Sequence, residues 1–226
     1  MIYDNVSMGI FLKRPNRFLA HILIDGTEEV CHVKNTGRLG ELLVPHAKVY
    51  VTKNDNPKRK TKYSLIAVEK DGILYNIDSQ APNQLAHEWI SSGRFMKNIT
   101  HIKAEKTYKK SRFDLYFETD EKRIFMEVKG VTLNQDGTGM FPDAPTERGK
   151  KHVLELIDAV ENGYEAYILF VVKFQPVNRF MPNTIRQPDF TDSLRLAKEK
   201  GVKILAVYCH VEPDHIFIEN EIPVVL

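Results

Sequence analysis

From Gly9 to about Asp78 the chain runs as short apolar-rich stretches broken by turn residues, and only beyond Pro82 does the apolar spacing widen to that of a helix. This change of period constrains the fold most. Side chains alternate with period two in a strand and recur every third or fourth residue on a buried helix face. The first region reads as GIFLKRPNRFLAHILID, EEVCHVKN, ELLVPHAKVYVTKN, KYSLIAVEK and GILYNID, with the basic loop NDNPKRKTK between two of the runs. Five short strands so closely spaced predict a small OB-like β-barrel rather than a sandwich.

In the second region NQLAHEWISSG sets Leu85, Trp89 and Ile90 on one helical stripe and stops at Gly93. Strand candidates follow at ITHIKAEKTY, SRFDLYFE and RIFMEVKGVTL. A helix then opens near Thr146 and closes at Gly163, with Val153, Leu156, Ile157 and Val160 facing inward. The apolar strand AYILFVVKF, a loop punctuated by Pro176, Pro182 and Pro188, a helix through SLRLAKEKG and the strand VKILAVYCHV complete the order. Strands that first pair antiparallel and then alternate with helices predict an α/β arrangement (α+β overall), a mixed sheet flanked by helices. The expected division is residues 1–80 for the barrel and 81–226 for the sheet. Ile222 to Leu226 suit either an interface, as in a homodimer, or a last strand docked on the sheet.

Composition removes several alternatives. Hydrophobic residues at 42% and charged residues at 27% are ordinary globular values. Cys31 and Cys209 are the only cysteines and lack CxxC spacing, so a disulfide framework or structural zinc site is not indicated and two buried thiols are expected. The N-terminal run meets charge too early for a signal peptide, and no apolar stretch is long enough to span a bilayer, so a cytoplasmic protein without a membrane partner is expected. The net charge of +2 is unevenly spread, since residues 1–63 hold eleven Lys or Arg against six Asp or Glu. An electropositive first domain suits a polyanion.

The chemistry is concentrated in RIFMEVKGV. Period two puts Phe125, Glu127 and Lys129 on one face, opposite Ile124, Met126 and Val128. A turn centred between Asp120 and Glu121 pairs residues whose numbers sum to 241, which sets Asp114 across from Glu127. Two carboxylates so placed repel unless a cation lies between them. Mg²⁺ or Mn²⁺ suits that position, being a hard ion held by one or two carboxylates with substrate phosphate completing its shell. Lys129 can hold a water or stabilise charge on a phosphate in transit, and the three roles together fit phosphodiester hydrolysis. A cross-strand ion network on a solvated face is the plainer account of the same three residues. Downstream, GMFPDAPTERGKKH opens a helix whose first turns carry Glu147 as a further catalytic candidate and Arg148, Lys151 and His152 as DNA-binding ones. Helix N-termini favour phosphate, although capping by Thr146, a Glu147–Lys151 surface pair and a structural role for His152 explain much of this. Glu88 and Glu105 are additional carboxylates that can simply face water.

In the barrel, Lys13, Arg14, Asn16, Arg17 and Phe18 interleave charge with an aromatic ring, and His32, Lys34, Asn35 and Arg38 extend the pattern. Such sets bind nucleic acid through backbone phosphates with stacking aromatics, largely regardless of sequence. A solvated basic rim is the alternative, above all for Lys58, Arg59, Lys60 and Lys62. Asp78 to Asn83 read as a hinge with a helix cap.

The strings FLKRPNRF, HVKNTGRLGELLVP, DSQAPN, SRFDLYF, MEVKGVTL and FPDAPTERGKKH, in this order, resemble the sugar fermentation stimulation protein A family nearly end to end. The resemblance implies DNA binding without marked sequence preference, an N-terminal OB-like domain and a C-terminal restriction-endonuclease-like domain. It also implies that Asp114, Glu127 and Lys129 match the nuclease signature. The loop QPVNRFMPNTIRQPDF holds fewer acidic residues than the family pattern leads one to expect. The expectations are therefore a divalent-metal-dependent nuclease acting on DNA or, alternatively, a non-catalytic DNA-binding regulatory protein influencing sugar metabolism. Phosphate contacts alone do not separate DNA from RNA.

Overall fold

A computed structural model describes residues 1–54 and 56–226. Asp55, in the basic loop NDNPKRKTK, lies outside the described residues. The chain divides into two compact units. The first comprises Met1–Ala81 with Lys173–Pro176 and Cys209–Phe217, and the second comprises Pro82–Val172, Val177–Tyr208 and Ile218–Leu226.

The first unit is built from β1 (Val6–Asn16), β2 (Leu19–Ile24), β3 (Thr27–Val33), β4 (Lys48–Lys53), β5 (Tyr63–Lys70) and β6 (Ile73–Asn76). Strand order β3-β2-β1-β4-β5 closes on itself through a parallel β3–β5 pairing, Cys31↔Tyr63 to Val33↔Leu65, which makes the expected barrel. The five strands are apportioned differently from the expectation. GIFLKRPNRFLAHILID is two strands, because the Asn16 side-chain oxygen accepts from the backbone N–H of both Phe18 and Leu19 and turns the chain there. GILYNID, expected as the fifth strand, is β6, paired to β5 outside the closure. Asp25–Gly26 and Asp71–Gly72 join β2 to β3 and β5 to β6 with both residues at positive φ, the conformation a two-residue hairpin requires. Phe11, Ala20, Ile22, Cys31, Val33, Val49, Val51, Leu65 and Val68 fill the interior.

The remaining elements are α1 (Ala81–Ser91), β7 (Ile99–Tyr108), β8 (Ser111–Thr119), β9 (Arg123–Val131), β10 (Leu133–Gln135), β11 (Thr138–Phe141), α2 (Glu147–Glu161), β12 (Glu165–Val172), β13 (Arg179–Pro182), α3 (Pro188–Glu199), β14 (Lys203–Val211) and β15 (Ile216–Ile222), of which the second unit holds all but Ala81, the end of β14 from Cys209 and the start of β15 to Phe217. The main sheet has the order β15-β14-β12-β9-β8-β7 and is mixed, with β9, β12 and β14 parallel and β7, β8 and β9 antiparallel. The β8–β9 hairpin has the register read from the sequence, Leu115↔Met126 to Glu118↔Arg123. A three-stranded sheet, β10-β11-β13, was not foreseen. The C-terminal residues run beside β13, where Phe180 exchanges backbone hydrogen bonds with Pro223 and Val225 at 2.9 and 3.0 Å, an isolated parallel bridge and not a further strand. Among the described residues no helix is long and apolar enough to cross a membrane. Cys31 and Cys209 are buried free thiols, each pushed up to about 12 by burial.

Candidate functional site

Beyond Leu115↔Met126 the β8–β9 pairing ends, and the Val128 N–H is taken by Oδ2 of Asp114 at 2.8 Å. Across β8 the ladder to β7 likewise passes over Asp114 and its opposite number, Glu105, whose φ is 56°. A left-handed glutamate inside a strand costs about 1 kcal/mol, and such strain gathers at functional sites. Here it accompanies the break that turns Asp114 from ladder residue into a side chain reaching across to β9. Glu105 itself is exposed and pairs with Arg112 at 3.3 Å.

Glu127 is only 2% exposed. Its Oε1 accepts from Lys129 Nζ and lies 2.5 Å from His152 Nδ1, while Oε2 is buried without a hydrogen-bond partner. Arg148 Nε faces the other ring nitrogen of His152 at 3.4 Å, so the ring is arranged with Nδ1–H toward Glu127. Asp114 Oδ1 accepts from Asn83 Nδ2 at 2.9 Å. Burial works against ionised Glu127, but the bond from His152 and the charge of Lys129 outweigh it and hold the carboxyl below the usual range. Asp114 is shifted the other way, upward, by burial and then by the charge of Glu127. The two carboxylates thus feel each other, and a buried oxygen is left without a donor. That donor set fits a hard divalent cation held by Asp114 and Glu127. Among the described residues no group of three or more His, Cys, Asp or Glu is arranged to hold a metal ion by itself.

α2 supplies His152 because Thr146 caps it, accepting the Gly149 N–H at 3.0 Å. A Cβ at Gly149 would lie 2.8 Å from the Thr146 methyl group, so this first turn tolerates no larger residue without shifting its cap. Glu147 sits exposed in that turn, and the bonds that gather Glu127 do not include it. Lys151 faces solvent and pairs with Glu155 at 3.7 Å. Glu88 is exposed and accepts from Gln84. Sequence reasoning missed Asn83, for which a helix-opening asparagine carried no signal beyond capping.

The barrel candidates divide. Arg14 donates to the carbonyls of Arg17, Asn35, Gly37 and Arg38 at 2.6 to 2.8 Å, so its guanidinium organises two loops and is not free for phosphate. Asn16 holds its own turn, Asn35 bonds Ile77 and Gly37, and Lys34 is paired with the fully buried Asp78 at 2.8 Å, so these three also serve the fold. Lys13, Arg17, Phe18 and Arg38 are exposed, with the Arg17 guanidinium 6.0 Å from the Phe18 ring centre.

Comparison with known proteins matches both units. Residues 12–77 match the family model described as the SfsA N-terminal OB domain, and residues 80–215 the one described as the sugar fermentation stimulation protein RE domain. The chain belongs to the SfsA family. Sugar fermentation stimulation protein homologs of Clostridium beijerinckii and Ruminiclostridium cellulolyticum are 55% and 53% identical to it, covering 100% and 99% of both chains in each pair. A solved structure described as Pyrococcus furiosus SfsA in complex with Ca²⁺ superposes with a TM-score of 0.92 at 30% identity, covering 100% of this chain and 98% of its own. Family membership therefore extends over the barrel, the sheet and the site-bearing hairpin.

Proposed function

We propose that this SfsA-family protein is a divalent-metal-dependent nuclease that binds DNA without marked sequence preference and hydrolyses its phosphodiester bonds. The observation that carries this reading is Glu127, a buried carboxylate with one oxygen fixed by Lys129 and His152 and the other unpartnered, whose charge pushes Asp114 upward. An unsatisfied buried carboxylate oxygen costs about 1–3 kcal/mol or more; Glu155 Oε2 on α2 is likewise unpartnered, and what sets Glu127 apart is the second carboxylate, Asp114, that feels its charge. The Ca²⁺ complex of the Pyrococcus furiosus relative supports a hard-cation site.

Asp114 and Glu127 would hold Mg²⁺ or Mn²⁺, which when bound neutralises phosphate charge and lowers the pKa of water. Glu127 stays ionised at neutral pH, held so by His152 and Lys129. Lys129 positions a water or donates to a phosphate oxygen as negative charge builds there. His152, oriented by Arg148, keeps Glu127 Oε1 in place, leaving Oε2 for the cation. Exposed Lys13, Arg17, Phe18 and Arg38 add phosphate and stacking contacts.

Labelled single- and double-stranded DNA incubated with Mn²⁺, or with EDTA, tests the reading with wild type, Glu127→Ala and Lys129→Ala at matched DNA occupancy. Metal-dependent cleavage lost in both variants while binding persists is the expected result. Binding by wild type without cleavage of any substrate would replace it with the regulatory DNA-binding reading, and competition with RNA of the same sequence separates the two polymers.

A further inference from the structure

The loop from Asn183 to Gln187, between β13 and α3, carries Ile185, which at 97% is more exposed than any other large hydrophobic side chain among the described residues. A lone exposed isoleucine is ordinary on a slack loop. This loop is pinned. Asn183 is buried, its side chain accepting from Arg186 N and donating to the Pro142 carbonyl, while its own carbonyl takes both Arg186 N and Gln187 N at 3.0 Å. Thr184 bonds Thr191 across the loop at 3.1 Å. Gln187 accepts the Thr146 N–H at 2.8 Å, which ties the loop to the cap of α2.

The cation at the tip is Arg186, next to Ile185 in the chain. Pro176 to Pro188 contain Arg179 and Arg186 and no acidic residue, and the next carboxylate, Asp189, is neutralised by Lys150 at 2.8 Å. Thr146 lies six residues before His152, about 9 Å along the helix axis, and His152 touches Glu127. A rigid apolar tip with one arginine, Arg186, beside it, tied to the helix that orients the metal-site carboxylate, fits a wedge entering a weakened base step, where the side chain replaces lost stacking and the arginine meets phosphate.

We propose that Ile185 is such a wedge, and that the DNA presented to the Asp114–Glu127–Lys129 site is preferentially a duplex with an unstacked step, at a mismatch or nick. The proposal rests on the DNA-binding part of the reading above and not on hydrolysis. It is tested in EDTA with a fluorescent adenine analogue beside a mismatch or within an intact duplex. Wild type brightens the analogue and prefers the mismatched duplex by about tenfold. Ile185→Ser, in an exposed position and checked for an unchanged melting temperature, loses both effects. Arg186→Ala weakens binding to both duplexes alike, and Glu127→Ala still brightens the analogue, so failure of cleavage and failure of the wedge are distinguished. Brightening and preference unchanged in Ile185→Ser would overturn the proposal, as would an effect of that substitution on sedimentation alone, which would make the tip a protein contact.

Discussion

In the barrel, Arg14 turns both terminal amino groups, and Asn16, Lys34 and Asn35 their side-chain ends, onto the chain itself, with only Arg14 Nε left buried and unpartnered among them, whereas in the sheet it is a charged carboxylate oxygen of Glu127 that is buried without a partner. Both regions are rich in charge, and in sequence the barrel looks the more committed to DNA. The difference shows that charge along the chain records what a region can bind only after its own backbone has taken what it needs. Carbonyls in tight loops are strong acceptors that must be satisfied, and a guanidinium with paired donors is well suited to bridge them. A carboxylate beside another carboxylate has no such use within the fold.

The sharpest way to break this contrast is at the sheet. Glu127→Gln and Lys129→Met are each expected to lower metal-dependent cleavage by about a thousandfold in single-turnover assays, with DNA affinity kept. Variants cutting within tenfold of wild type would make the sheet cluster structural too.

Among the described residues of the barrel unit, Lys173 is a buried cation whose nearby carboxylate is already taken. Lys173 is 1% exposed and donates to the Asp78 carbonyl at 2.8 Å, while the Asp78 side chain is paired with Lys34. Burial lowers its pKa to about 8. Between that value and the ordinary lysine value the unfolded chain binds more protons than the folded one, so this contribution to stability rises with pH across the window and is flat below it. The stability advantage of Lys173→Met over wild type should therefore shrink from pH 7 to pH 10.5, by up to about 3 kcal/mol in urea denaturation. An advantage independent of pH would show the ammonium to be better solvated than its burial implies.

Arg14→Ala sharpens the comparison within the barrel. Loss of its bonds to four carbonyls is expected to cost about 2–3 kcal/mol of stability, with DNA affinity per folded molecule unchanged. The opposite pattern, normal stability with lost affinity, would return Arg14 to the DNA surface. The smallest effects are expected at the exposed rim. Lys13→Ala and Arg17→Ala should leave stability within about 0.5 kcal/mol and each reduce the slope of log affinity against log salt by about one.

Patterns set by local periodicity were legible in the sequence. The alternation in RIFMEVKGV and the turn at Asp120–Glu121 were enough for the β8–β9 register, and Thr146 announced its helix. What depends on distant partners was not. Arg14 meets carbonyls more than twenty residues away, His152 meets Glu127 twenty-five residues away, and neither distance leaves a mark on composition. The β10-β11-β13 sheet escaped because its strands are three to four residues long, too short to show a period. The β1–β2 turn was hidden inside one apolar run, since Asn16 is an ordinary basic-patch residue until its side chain is seen to cap the turn.

Uptake of Mn²⁺ by the DNA-free protein, followed by electron paramagnetic resonance, tests the central contrast most directly. The account predicts a bound Mn²⁺ signal in wild type and in Arg17→Ala that is lost in Asp114→Asn and Glu127→Gln, all four proteins being folded. A bound signal that survives both carboxylate substitutions would contradict it, placing the cation elsewhere and leaving Glu127 as a buried structural charge.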